Sequence, residues 1–185
     1  MTRIIGGQGK GRRLTAPRGD RTRPTGARLR QSLFDILAPR LPGCRFLDLC
    51  AGSGAVGLEA LSRGAAHVTL VDEDAAAVAS IRANAAVLQG AGGETRVLRQ
   101  EARAALAGLR ASGDRFDVIF VDPPYDSPQY EVVIEAADAV MAEGGVVVAE
   151  HFHKRDLPET IGRLSRTRGA RIGDHRLSFY QRAPE

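Results

Sequence analysis

Tryptophan is absent from the 185 residues, cysteine occurs only twice, and of 26 basic side chains only Lys10 and Lys154 are lysines. Two cysteines, Cys44 and Cys50, are too few for a disulfide framework or a four-thiolate zinc site. They fit a reducing compartment, so the cytoplasm is the expected location. No apolar run approaches the roughly 20 residues that cross a bilayer, and Gly145–Ala149 is among the longest. The opening Met1-Thr2-Arg3-Ile4-Ile5-Gly6-Gly7 holds no apolar stretch of the kind a secretory signal needs, so none is expected. Internal repeats, low-complexity tracts and inter-domain linkers are missing too. These absences remove disulfide-stapled secreted modules, helical membrane proteins and repeat arrays. What remains is one soluble domain of ordinary size, with 43% hydrophobic and 26% charged residues.

The net charge of +4 conceals an uneven distribution. Residues 1–30 carry nine basic and one acidic side chain, residues 31–150 nine and seventeen, and residues 151–185 eight and four. Basic ends around an acidic middle point to a polyanionic partner met by the termini and a different task for the centre. The first 26 residues, punctuated by Gly6-Gly7, Gly9, Gly11 and Pro17, read as a basic arm, and residues 27–185 as the domain proper.

Along that domain short apolar runs alternate with amphipathic stretches. The spacing predicts helices over Ala27–Leu37, Ala55–Arg63, Asp74–Leu88, Ala102–Arg110 and Tyr130–Met141. It predicts strands over Phe46–Leu49, His67–Val71, Arg96–Leu98, Asp117–Val121 and Gly145–Glu150, with a closing hairpin of Arg168–Gly173 and Leu177–Arg182. Alternation of this kind builds an α/β fold with a mainly parallel sheet and helices on both faces. Ligands in such sheets bind beyond the carboxyl ends of the strands, where the strand order reverses. Two chemically loaded loops, 50–54 and 122–125, follow predicted strands and therefore share that rim.

The first loop, Gly52-Ser53-Gly54-Ala55-Val56-Gly57, matches GxGxxG between a strand and a helix, and Asp72 ends the next strand. A dinucleotide site is one reading. Asp48 opposes it, because a carboxylate beside the glycine loop repels a pyrophosphate and attracts an ammonium. S-adenosylmethionine carries such an ammonium, a sulfonium and a ribose, and no phosphate. Asp48, Ala51, Gly52, Ser53 and Gly54 would then hold the methionyl part and Asp72 the ribose hydroxyls. Glu101 and the backbone near Ala102 would meet the adenine.

The second loop is Asp122-Pro123-Pro124-Tyr125. Consecutive prolines hold the backbone extended and remove two N–H donors, leaving carbonyls to accept from a ligand. A carboxylate beside such a carbonyl offers two acceptors to an exocyclic –NH₂. Tyr125 is placed to stack on an extruded base. Held this way, the amine lone pair turns toward an incoming methyl, so catalysis is chiefly positioning and desolvation.

Residues 48–65, Asp-Leu-Cys-Ala-Gly-Ser-Gly-Ala-Val-Gly-Leu-Glu-Ala-Leu-Ser-Arg-Gly-Ala, closely resemble the glycine-loop block of the RsmD family, bacterial 16S ribosomal RNA guanine-N2 methyltransferases. Arg3-Ile4-Ile5-Gly6-Gly7, Gly11-Arg12, Arg23-Pro24-Thr25 and Arg28–Phe34 resemble its N-terminal signature, and Asp122–Tyr125 its catalytic motif. The resemblance implies a Rossmann-like class I S-adenosylmethionine-dependent methyltransferase, with a mostly parallel seven-stranded sheet and an antiparallel last strand. It implies methyl transfer to N2 of one guanine in small-subunit rRNA, on assembled or partly assembled subunits, with ribosomal proteins near the substrate. Arg3, Lys10, Arg12, Arg13, Arg23, Arg28 and Arg30 would hold the rRNA backbone. A monomer without a metal or a membrane is expected.

Three other readings remain open from sequence. A DNA adenine-N6 or cytosine-N4 methyltransferase shares the Asp-Pro-Pro-Tyr logic, but normally needs a recognition insertion for which there is little room. A non-catalytic RNA-binding assembly module would not need Asp48, Asp72, Asp122 and Tyr125. An NAD oxidoreductase is weakened by Asp48. His151 and His153 form an HxH pair without a third ligand, and a surface or rim role is expected for them. Cys44 and Cys50 are expected to be buried thiols.

Overall fold

The computed structural model describes residues 2–16, 26–90, 92–124 and 128–183. Ten strands and five α-helices follow one another as β1 (Thr2–Arg3), β2 (Arg13–Leu14), α1 (Ala27–Leu37), β3 (Arg45–Leu49), α2 (Ala55–Ser62), β4 (His67–Asp72), α3 (Ala75–Val87), β5 (Glu94–Arg99), α4 (Ala102–Ala111), β6 (Phe116–Val121), α5 (Tyr130–Ala137), β7 (Met141–Phe152), β8 (Thr160–Ile161), β9 (Leu164–Ile172) and β10 (His175–Arg182). The central sheet runs β5-β4-β3-β6-β7-β10-β9-β8. Its first five strands are parallel, and the sequence order reverses between β3 and β6. Among the described residues the sheet has eight strands rather than the expected seven; β10 runs antiparallel to β7 as expected, and β9 and β8 extend the edge through further antiparallel pairs.

Strands buried on both faces read as unbroken apolar runs, and their alternation feeds two cores. Phe46, Val118, Phe120, Val146 and Val148 join Leu33, Phe34, Leu58 and Ile81 of α1, α2 and α3 in one cluster. Leu47, Ile119, Val121, Val147 and Ala149 join Leu106, Val133 and Ile134 of α4 and α5 in the other. The result is a three-layer sandwich with the carboxyl ends of β3, β4, β6 and β7 on one rim.

Residues 2–16 do not hang off this sandwich. β1 and β2 pair antiparallel, and Ile4 and Leu14 enter the same cluster as Leu29 and Leu33. Their dock is α2. The fully buried Glu59 carboxylate accepts from Ile5 and Gly6 N–H, each at 2.7 Å, and from Arg63 Nε at 2.7 Å. Ser62 Oγ accepts from Gly9 N–H at 2.8 Å and donates to the Gly6 carbonyl at 2.6 Å. Gly7 sits at φ +74°, and a Cβ there would fall 1.8 Å from the Ser62 carbonyl oxygen, so no other residue fits.

Arg30 corrects an expectation. It was expected to face RNA, but it is 2% exposed and donates from Nη2 to the Arg3 carbonyl at 3.0 Å. It lies in the field of Glu59 and Arg63, among the groups that hold the arm.

Removing one member of a buried ion pair costs about 3–5 kcal/mol, because the partner charge is left uncompensated. Glu59→Ala is therefore expected to lower unfolding free energy by about that amount and to speed proteolysis within residues 2–16. Urea denaturation with limited proteolysis checks this; a wild-type midpoint would deny Glu59 its role.

Candidate functional site

Where the strand order reverses, β3 ends in Asp48 and Leu49 beside Phe120 and Val121 of β6. The chain then turns sharply through Cys50, at φ +62°, Gly52, at φ +57°, and Gly54, at φ +76°, into α2. Among the described residues Cys50 is the only non-glycine in the left-handed region, so the turn carries local strain. Asp48 Oδ2 accepts the Gly57 N–H at 2.8 Å in the first turn of α2, where a carboxylate complements the helix dipole. A Cβ on Gly57 would meet Leu70 Cδ2 at 2.9 Å and Asp48 Cβ at 3.2 Å, so glycine lets helix and strands close up.

Asp72 stands at the adjacent strand end. Its Oδ2 accepts Gly52 N–H at 2.8 Å and its Oδ1 accepts Asp74 N–H at 2.9 Å. The loop and two acids expected to form one site are thus brought together by backbone hydrogen bonds. Glu101, expected to meet the adenine, is also a helix cap. Its carboxylate caps α4, accepting Ala104 N–H at 3.0 Å, and Ala102 beside it is buried.

On β6, Asp122 follows Val121, which pairs with Ala149 of β7. This sets Asp122 level with Glu150, a buried side chain the sequence analysis did not single out. Burial, then Glu150, then Asp48 push the Asp122 carboxyl well above the usual aspartate range. Burial also raises Asp48 to about 7, with Asp72 and Glu150 adding to the rise and the Gly57 N–H opposing it. His175 Nδ1 lies 3.1 Å from Glu150 Oε1. Three acids therefore crowd one rim, and a cation beside them would favour their ionised forms.

The Asp-Pro-Pro turn is held from beneath. The buried Tyr130 hydroxyl lies 2.9 Å from the Glu150 carbonyl and 3.2 Å from the Pro123 carbonyl, bridging β7 to the turn. Pro123 is buried and Pro124 exposed. Tyr125 and Arg23 lie outside the described residues. The loop is also tied to the arm, since buried Asn84 donates to the carbonyls of Ser53 at 2.8 Å and Thr15 at 2.9 Å, and its Oδ1 accepts Thr15 N–H at 2.8 Å. Asn84 gave a faint signal, an amide on the inward face of an alanine-rich helix.

Arg3, Lys10, Arg12, Arg13 and Arg28 are exposed, as a phosphate-binding role requires. Arg12 also donates to the Val87 carbonyl at the end of α3. His151 is buried rather than at the surface, with Nε2 2.8 Å from Ser178 Oγ, while His153 meets Asp174. Both cysteines are free thiols. Burial and the nearby Asp122 push the Cys50 thiol far up, which keeps it protonated and inert.

Asp48 keeps its proton to about pH 7 when folded, whereas the unfolded chain loses it in the ordinary aspartate range. The group thus stabilises the fold in acid, and that stability is lost as pH rises through about 7. Asp48→Asn, which keeps an acceptor for Gly57, is expected to raise Tm relative to wild type by more at pH 8 than at pH 5. An equal change at both values would show that Asp48 is not held protonated.

The chain matches the family described as Conserved hypothetical protein 95 over residues 2–181. It is 37% identical over 182 residues to Ribosomal RNA small subunit methyltransferase D of Escherichia coli strain K12, covering 97% of this chain and 89% of that protein. The solved Escherichia coli protein yhhF superposes with a TM-score of 0.84 at 37% identity, covering 98% and 97% of the two chains. A ribosomal protein L11 methylase from Lactobacillus delbrueckii shares the fold at 17% identity, with a TM-score of 0.68, over 85% of this chain and 80% of its own. A match running from the arm to the last strand places this chain in the Conserved hypothetical protein 95 family, the RsmD family.

Proposed function

We propose that this protein methylates the exocyclic N2 of a guanine in small-subunit ribosomal RNA, in the cytoplasm, using S-adenosylmethionine. The observation that carries the reading is the meeting at one rim of the Asp-Pro-Pro turn with the acid-flanked glycine loop. The name of the Escherichia coli relative supports ribosomal RNA as the substrate class. A distant structural neighbour, SMU.776, is described as a putative methyltransferase complexed with SAH, which agrees with the cofactor.

The residues fit this cofactor. Asp48 is a buried carboxylate whose ionisation is resisted by burial and by neighbouring acids, so an ammonium nearby compensates it. Asp72 keeps lone pairs beyond its two backbone bonds and is placed for ribose hydroxyls. When bound, S-adenosylmethionine supplies an electrophilic methyl on sulfonium. Asp122 and the Pro123 carbonyl would accept the two amine hydrogens, and Tyr125 would stack on the base. The single Tyr130 hydroxyl hydrogen lies nearer the Glu150 carbonyl, so the Pro123 carbonyl, at most sharing it, keeps a lone pair for the amine. Asp122 must be ionised for this, which the cationic cofactor would favour; its raised pKa then makes it a stronger base, suited to take the proton the amine sheds on methylation. Arg3, Lys10, Arg12, Arg13, Arg23 and Arg28 would hold phosphates, on assembled or partly assembled subunits.

Nucleoside mass spectrometry of unmodified small subunits, before and after incubation with enzyme and S-adenosylmethionine, tests the reading. N2-methylguanosine is expected; methylation of adenosine or cytidine alone would overturn the choice of base. Asp122→Ala should lower kcat by about 100-fold or more while keeping cofactor affinity. Unchanged turnover would remove Asp122 from the chemistry. Charge reversal at Arg12 and Arg13 should flatten the salt dependence of substrate binding by about 0.7–0.9 log units for each phosphate no longer neutralised. An unaltered slope would show that the arm does not touch phosphate.

A further inference from the structure

Nine aromatic side chains serve the whole sequence. Of the described ones, Phe34, Phe46, Phe116, Phe120, Phe179, Tyr130 and Tyr180 are buried. Phe152 alone stands out, 37% exposed at the last position of β7. Val87 and Val132 are also exposed, but they are aliphatic and lie on the outer faces of α3 and α5.

Strand register places Phe152 relative to the site. Val121 pairs with Ala149, so Asp122 and Glu150 are level, and Phe152 lies two residues further along β7, about 7 Å beyond. Residues two apart share a face, so Phe152 projects on the side to which Val148 and Glu150 belong. This is the face of the sheet on which the arm docks. His175 of β10 is its register partner. The His153 ring lies 4.7 Å from the Phe152 ring between centroids, and Lys154 Nζ lies 6.0 Å from the Phe152 centroid. An exposed ring with a neighbouring ammonium, one step beyond a nucleic-acid catalytic motif, has the two parts of a single-strand platform: a π-face for a base and a cation for its phosphate.

We propose that Phe152, with Lys154, is a second RNA contact that stacks a nucleobase next to the target nucleotide. The inference rests on the functional reading above for the polymer's identity. Its location sets it beyond the catalytic turn, separate from the basic arm. A stacked neighbouring base fixes the strand on the far side of the target, so the amine is presented to Asp122 with less rotational freedom.

Because the chain has no tryptophan, Phe152→Trp supplies a single tryptophan at the site, excited selectively over the three tyrosines at about 295 nm. With a short guanine-containing single-stranded oligoribonucleotide and no cofactor, saturable quenching of its emission is expected; unchanged emission overturns the proposal. In methyl transfer to small subunits, Phe152→Ala and Phe152→Leu should each raise KM about 5- to 150-fold, equivalent to about 1–3 kcal/mol of stacking, while Phe152→Tyr restores wild-type KM. A rise below fivefold, or a leucine variant as good as wild type, overturns stacking, the latter pointing to an apolar protein contact. If the wild-type protein leaves small-subunit RNA unmethylated, the functional reading fails, while the quenching measurement still decides for or against Phe152.

Discussion

Three carboxylates, Asp48, Asp122 and Glu150, stand at the same rim on or just beyond neighbouring strands, on one side of the sheet, and burial resists the ionisation of the first two. Like charges so close are costly unless protonated, hydrogen-bonded or paired with a cation. Each has some relief: the Gly57 N–H for Asp48, His175 for Glu150, a raised pKa for Asp122. None of these neutralises the rim fully, and the remaining demand selects the ligand. A pyrophosphate would worsen it, whereas an ammonium and an amine both answer it.

The parts around the acids set their geometry. Gly57 lets α2 approach β3, the strained turn at Cys50 brings Gly52 to Asp72, and the Tyr130 hydroxyl joins the Asp-Pro-Pro turn to β7. The arm belongs to the same framework. Glu59 fastens its loop to α2, and Asn84 joins Thr15 to the carbonyl of Ser53 in the glycine loop. A surface that would meet RNA and a loop that would meet the cofactor therefore share one buried amide.

The sequence made much of this legible, for reasons that particular residues show. Helix α1 runs over Ala27–Leu37 as its apolar spacing predicts, and parallel strands such as Val118–Val121 declare themselves by unbroken apolar runs. The glycine loop and Asp72 were readable because their spacing follows from strand–turn–helix geometry. Arg30 was not, since an arginine among arginines gives no sign of burial; that depends on Glu59, whose carboxylate it approaches only after folding. Two-residue strands such as β1, β2 and β8 are too short to show a period. Glu101 was legible as a helix cap, since an acid just before an apolar helix accepts its first N–H groups. Glu150 and Tyr130 act through neighbours that they meet only once β7 lies beside β6.

The central claim is that the acidic rim is completed by a cationic cofactor. Calorimetric titration with S-adenosylmethionine at about pH 6.5, in buffers of differing ionisation enthalpy, tests it most directly, because the ligand's ammonium is then charged while Asp48, with its pKa near about 7, is mostly protonated. Binding should drive Asp48 to ionise, so the account predicts net proton release to the buffer. Binding with no proton exchange, or with uptake, would contradict it.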